Sequence, residues 1–275
     1  MNKDEMAYER FERTKRIIKK FPRQKIIVYG IDDLWSIDLA DFSKNNYDFK
    51  YVLFVIDAWS KYLWISFLKS KTSHSIITGL KYIFKSAERK PEKIMSDMES
   101  GLFSKETQNF LKENNIFLYH TNTGSDEQYA SHNPLAERVI RTIKLRVSRY
   151  FSHLDMKEAI ISAVNLYNVT KHSTIKMSPT MASKEESQKI LAETYIKYYE
   201  KYNPPDYDFF KKGDRVRIYE YKKKFSKSFE PNWTEEIFVI NHVFPTKPLT
   251  FSLVDQNNEK IEGRFYAQQM SKTVL

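Results

Sequence analysis

The stretch LWSIDLADFSKNNYDFKYVLFVIDAWSKYLWISFL, residues 34–68, decides how this chain is read. Its first nine residues alternate apolar and polar side chains at period two, the pattern of a strand with one face in a core. Residues 51–58 and 62–68 are runs of branched and aromatic residues joined through Trp59-Ser60-Lys61. They read as a hairpin at the centre of a sheet.

Outward from this sheet the period changes. Thr72 can cap a helix whose apolar positions Ile76, Ile77, Leu80, Ile83, Phe84 and Ala87 recur at helical spacing. A short strand over 93–97, a helix over 104–114 capped by Ser104 and a strand over 116–121 follow. After the polar stretch 122–133, Pro134 suits the first turn of a helix reaching about residue 151. Helices are expected near 156–169 and 180–203, the last ended by Pro204-Pro205. This order predicts an α/β layer fold on a mixed sheet.

The flanks differ in character. Residues 1–29 read as a basic arm, with a helix over 7–20 anchored only by Phe11, Ile17 and Ile18. The core is placed at 30–190 and a helical, Pro-ended linker at 191–207. The last domain, 208–275, holds short β-like runs at 215–221, 237–244, 250–254 and 260–266, with a turn at Asp255-Gln256-Asn257-Asn258. A small β-barrel is the expected form.

Composition excludes several chemistries. The 275 residues include no cysteine, which removes disulfides, thiolate nucleophiles and Cys-containing zinc sites. The six histidines form no His-x-x-x-His pair. No apolar run approaches the roughly 18 residues of a membrane span. The first 25 residues are too charged for a signal peptide, so secretion is not expected. The net charge is +10 and is concentrated at the flanks: residues 1–30 carry nine Lys/Arg against four acids, and 207–275 carry twelve against nine. A polyanionic partner, nucleic acid above all, and a solvated basic surface both fit that excess.

Three acids stand out by position. Asp38 lies inside the first strand between Ile37 and Leu39, Asp97 ends the run KIMSD, and Glu137 opens the helix PLAERVIRTIKLRV. Acids on central strands are usually paired or metal-bound. Three converging carboxylates make an all-oxygen site suited to Mg²⁺ or Mn²⁺. The alternative is acids that cap turns or pair with nearby Lys and Arg. Asp57, beside the hairpin turn, is the main decoy, since Asp there commonly accepts from backbone N–H groups. Asp32, Asp33, Asp41, Glu99, Asp126 and Glu127 are weaker rivals. On the helix from Pro134, Ala136, Val139, Ile140, Ile143 and Val147 form an apolar stripe, while Glu137, Arg141, Lys144 and Ser148 share an adjoining face. That face is either a solvated one with a Glu137–Arg141 pair, or a metal ligand followed by phosphate contacts.

Six segments together resemble the retroviral-type (DDE) integrases, most closely those of Polinton/Maverick elements and related virophages. They are GIDDLWSIDLADF (30–42), YVLFVIDAWSKYLWISFLKSKT (51–72), KIMSDMESGLF (93–103), ASHNPLAERVIRTIKLRVSRYF (130–151), YNVTKHSTIKMSPTMA (167–182) and FKKGDRVRIYEYKKKFSKSFEPNWTEEIFVI (210–240). The resemblance covers about residues 28–273. It implies a ribonuclease-H-like catalytic core followed by an SH3-like or chromo-like barrel. The implied activity is metal-dependent 3′-end processing and strand transfer of a mobile-element or viral DNA into target DNA. Asp38, Asp97 and Glu137 would be catalytic and hold two Mg²⁺ or Mn²⁺ ions, with Asp38 bridging both. Arg141 and Lys144 would grip phosphates, and no zinc is expected. The implied partners are element-end and target DNA and further copies of the chain, as a dimer or tetramer, in a host nucleus or viral particle. The last domain would bind DNA through Lys222, Lys223, Lys224 and Lys227, or a histone tail through Trp233, Tyr219 and Phe265. The bland reading of those aromatics is the barrel core.

Two departures accompany the resemblance. Asp97 and Glu137 are separated by 39 residues, slightly more than is usual in the family, which gives Glu127 some weight against Glu137. The His-His-Cys-Cys zinc domain with which many integrases begin is ruled out by the absence of cysteine. The alternatives are a nuclease of the same fold that cuts without joining, and a non-enzymatic integrase-derived DNA- or chromatin-binding protein.

Overall fold

The structure, a computed structural model, describes residues 3–18, 20–43, 47–97, 101–120, 133–204, 209–220, 230–261 and 263–273. Among these, 27–120 with 133–202 form one compact unit, and 3–26 with 203–273 form a second.

The first unit is built on a five-stranded sheet of order β3-β2-β1-β4-β5. Its strands are β1 (Leu34–Asp41), β2 (Tyr51–Asp57), β3 (Leu63–Leu68), β4 (Lys93–Ser96) and β5 (Phe117–His120). β1, β2 and β3 pair antiparallel, and β4 and β5 run parallel to β1. This is the mixed sheet expected of a ribonuclease-H-like core.

The pleat sorts side chains into two cores. Trp35, Ile37 and Leu39 of β1 join Leu53 and Val55 of β2 against helices α2 (Ser73–Ala87) and α3 (Lys105–Glu113). On the other face, Val52, Phe54 and Ile56 meet Val139, Ile140 and Ile143 of α4 (Pro134–Tyr150) and Ile160, Ala163 and Val164 of α5 (Met156–Val169). β2 is apolar on both faces because helices cover both. β1 alternates because its second face carries Ser36 and Asp38, which therefore point toward the α4 side. Thr72 and Ser104 cap α2 and α3 as expected, each accepting from the N–H three residues on. Gly79 lets α2 lie close to the sheet, since a Cβ there would stand 3.0 Å from Leu68 Cδ2.

The expected helix over 180–203 is two helices. α6 (Pro179–Ala182) ends where Lys184 is extended, and α7 (Gln188–Glu200) starts after a 3₁₀ turn. The Gln188 side chain closes the break by donating to the Ala182 and Lys184 carbonyls. The stretch read as a linker from 191 belongs to the first unit as far as Tyr202. Tyr195 stacks on Trp59 at 4.6 Å and donates to the Ala58 and Trp59 carbonyls.

The second unit carries an antiparallel sheet of order β10-β6-β7-β8-β9, formed by Arg215–Ile218 (β6), Phe238–Phe244 (β7), Thr250–Val254 (β8), Phe265–Tyr266 (β9) and Met270–Lys272 (β10). The run expected over 260–266 is a strand only at its end, because Gly263 sits at φ +97°. β10 was not anticipated from the sequence.

The basic arm is packed into this unit. Its helix α1 spans Lys3–Thr14 rather than 7–20. It stops because its last carbonyls take partners far along the chain. Asn232 and Trp233 N–H groups donate to Arg13 O at 2.7 and 3.2 Å, and Trp233 Nε1 donates to Lys15 O at 3.0 Å. Glu12, 3% exposed, accepts from Thr273 Oγ1 at 2.5 Å, and the buried Arg217 reaches Glu9 at 3.5 Å. Among the described residues no helix is long and apolar enough to cross a membrane.

The arm is therefore expected to support β6 and β10. In a variant lacking residues 1–15, amide hydrogen exchange of these strands should accelerate at least about tenfold, since buried Arg217, Trp233 and Thr273 lose partners. Exchange in β2 should not change. Unaltered protection of β6 and β10 would show the arm to be dispensable.

Candidate active site

Asp38 projects from the polar face of β1 at the level of α4, and its Oδ1 accepts the Leu39 N–H at 2.7 Å. Glu137 lies in the first turn of α4, where a negative charge suits the helix dipole. The two share a cleft of about 510 Å³ that is also lined by Asp41, Arg141 and Lys144. Lys144 is exposed, with Nζ 5.5 Å from the centre of the Phe42 ring. Thus four of the residues singled out from sequence, Asp38, Glu137, Arg141 and Lys144, face one space.

Asp97 is placed by β4. β1 and β4 run parallel with Leu34 opposite Lys93 through Ile37 opposite Ser96, where β4 ends; Asp97 follows directly, at the end of the sheet where β1 continues into Asp38. It does not line the cleft, and among the described residues no three His, Asp or Glu side chains are gathered closely enough to hold a metal. The donor chemistry of the cleft, carboxylate oxygen only, suits a hard divalent cation rather than zinc. Glu99, Asp126, Glu127, Lys222, Lys223, Lys224 and Lys227 lie outside the described residues.

One residue of the site escaped the sequence reading. Asn133, fully buried, caps α4 by accepting the Ala136 N–H at 3.5 Å. It also accepts from Ser36 Oγ at 2.5 Å and donates Nδ2 to Ile37 O at 2.9 Å and Met95 O at 3.4 Å. The available signal was its place directly before Pro134, the pairing of an N-cap with a proline in the first turn.

The rival acids have structural work. Asp57, fully buried, accepts from the Trp59 and Ser60 N–H groups at 3.3 and 2.9 Å and from Ser60 Oγ at 2.5 Å, closing the β2–β3 turn. Lys61 sits in that turn at φ +62°; burial lowers its pKa to about 8, opposed by the Asp57 charge and assisted by Arg138. Nearby, burial and the charges of Lys61 and Arg138 lower His172 to about 4, which keeps its Nδ1 an acceptor for the Thr174 N–H at 3.2 Å. Asp32 is held by Trp35 Nε1 and Arg89, and Asp33 by Lys93 at 2.6 Å.

In the second unit, Phe265 is fully buried in the core and Trp233 is 4% exposed beneath Lys15. Those two rings do not form an exposed cage with Tyr219.

Residues 30–126 match the family model of the integrase core domain. The match includes Asp38 and Asp97 and stops before Glu137. A transposon-derived protein of Caenorhabditis elegans is 23% identical over 209 residues, which cover 74% of this chain and 66% of that protein. The chain therefore spans just under two thirds of that relative's length. A chain in the cryo-EM structure of the simian T-cell lymphotropic virus intasome, in complex with PP2A regulatory subunit B56 gamma, superposes with a TM-score of 0.66. It is 14% identical, with 96% of this chain and 86% of that one covered, and it shares the fold.

The different roles of the acids separate in stability. Asp57→Ala leaves three buried donors without their acceptor and removes the charge that favours the buried Lys61 ammonium, and should cost roughly 3 kcal/mol or more. Asp38→Asn keeps an acceptor for Leu39 N–H and should unfold in urea within about 1 kcal/mol of the parent. An Asp57→Ala variant with the parent's urea midpoint would contradict the assignment.

Proposed function

We propose that the protein is a DDE-type integrase that cuts the 3′ ends of a mobile-element or viral DNA and joins them to target DNA. The observation that carries this reading is the shared cleft of Asp38 and Glu137, flanked by Arg141 and Lys144, with Asp97 directly after the strand that pairs with β1. The match of 30–126 to the integrase core domain supports the same reading.

The roles follow from placement. Arg141 and Lys144 stand one and two turns beyond Glu137 on one helix face, where they would hold successive phosphates of a bound strand without sequence preference, Arg141 through its planar fork and Lys144 as a point charge. Mg²⁺ or Mn²⁺, two ions held by Asp38, Asp97 and Glu137, would activate an attacking water or 3′-hydroxyl and stabilise the leaving oxygen. The protein itself needs no nucleophilic side chain, which accords with a chain free of cysteine.

The wider reading is that of a Polinton- or virophage-type element acting in a host nucleus or viral particle, as a dimer or tetramer. The second unit would be an SH3-like or chromo-like module that binds DNA, with Lys222, Lys223, Lys224 and Lys227 as its contacts. The burial of Phe265 and Trp233 favours DNA over a histone tail as its partner.

Asp38→Asn, Asp97→Asn and Glu137→Gln in the full chain should each reduce Mg²⁺-dependent cutting and joining of duplex oligonucleotides to background, while leaving DNA binding nearly intact. A Glu137→Gln variant active at the parent's rate would overturn the assignment. Cutting without any joined product would favour the nuclease alternative.

Lys144 gives an independent check. Lys144→Glu should lower the slope of log binding constant against log salt by about one unit for each lost contact. Since the residue is exposed, the unfolding midpoint should not move. An unchanged salt slope would place the DNA elsewhere.

A further inference from the structure

We infer that Asn133 is a positioning residue that ties the elements carrying the three acids to one another, so that Asp38, Asp97 and Glu137 face a common point. The inference rests on reading those acids as metal ligands. No sequence motif singled Asn133 out; its bonding does.

Every polar group of the Asn133 side chain is committed, each to an element that carries an acid. Oδ1 accepts from Ser36 Oγ at 2.5 Å, two residues before Asp38 on the same face of β1. Nδ2 donates to Ile37 O at 2.9 Å, the residue directly before Asp38. The same amide reaches Met95 O at 3.4 Å on β4, two residues before Asp97. Oδ1 also accepts Ala136 N–H at 3.5 Å, and the Asn133 carbonyl accepts Glu137 N–H at 3.1 Å, which fixes the first turn of α4. One fully buried residue thus touches β1, β4 and α4, each within three residues of its acid.

Few side chains can do this. Burying an amide is costly unless its hydrogen bonds are made. A helix cap alone would be served as well by Ser or Asp. Neither replaces Asn here. A carboxylate has no N–H for the two strand carbonyls, and a serine has one hydroxyl proton on a shorter stem. Only an amide of this reach supplies both the acceptor for the helix and two donors for the strands. The combination separates a tether from a cap. Metal ligands held by such supporting contacts typically lose about 10–100-fold in metal affinity when the support is removed.

The experiment uses the full chain and Mn²⁺ alone as the probe, titrated by electron paramagnetic resonance. Asn133→Ser keeps the cap to Ala136 N–H but cannot hold both strand carbonyls. It should retain the parent's hydrogen-exchange protection in the first turn of α4, while its Mn²⁺ affinity falls at least about tenfold. Ser36→Ala leaves Asn133 and the cap in place but removes the bond that orients the amide; its affinity should also fall, by less. Wild-type affinity in Asn133→Ser would overturn the inference and leave Asn133 as a cap only. Wild-type affinity in Ser36→Ala would overturn it as well, because the amide would then need no orienting. The parent must bind Mn²⁺ more tightly than an Asp38→Asn/Glu137→Gln double variant. If it does not, the metal reading fails and the inference with it, a result distinct from the failure of Asn133 alone.

Discussion

The polar face of β1 is the constraint on which the rest of the first unit depends. A strand at the centre of a covered sheet is normally apolar on both sides, as β2 is. β1 instead gives Trp35, Ile37 and Leu39 to one core and keeps Ser36 and Asp38 for the other side. A buried polar face is costly unless it is answered. The N-terminus of α4 answers it: Asn133 satisfies Ser36 and the Ile37 carbonyl, and the same turn delivers Glu137 into the cleft with Asp38. The carboxylates are thus brought together by the same contacts that make the polar face tolerable.

How much of this was legible depends on the range of the interaction. Period-two alternation in 34–42, the continuous apolar runs that follow, and caps such as Thr72 and Ser104 are local signals, and their elements form where the pattern places them. Asp57 was suspect for a local reason, its place at a turn, and the structure shows it bonded there. Asp38, Glu137, Arg141 and Lys144 were within reach because helix spacing and strand position are properties of short segments. Asn133 was not, since three of its partners lie in strands far away in sequence. The break between α6 and α7 also escaped, because it turns on a side-chain choice by Gln188 rather than on proline or glycine.

The N-terminal segment shows the same limit. Its charge and sparse apolar residues describe a solvated arm, and nothing in residues 1–29 foretells that Glu12 would be buried against Thr273 or that Arg13 and Lys15 would supply carbonyls to Asn232 and Trp233. Those carbonyls satisfy backbone donors of the second unit and the indole of Trp233. The burial of the ring, 4% exposed, leaves it unavailable as an aromatic wall for a cationic ligand. Charge on the arm and its structural role are therefore compatible: its backbone serves the fold while basic side chains such as Arg10 and Arg16 stay at the surface.

The central claim is that β1, β4 and α4 present their acids to one metal site. The most direct measurement is anomalous diffraction from crystals of the full chain grown with Mn²⁺. The account requires a peak bounded by the carboxylates of Asp38, Asp97 and Glu137, or two peaks about 3.5–4 Å apart. Manganese density at saturating metal that avoids Asp38 and Glu137 would contradict it.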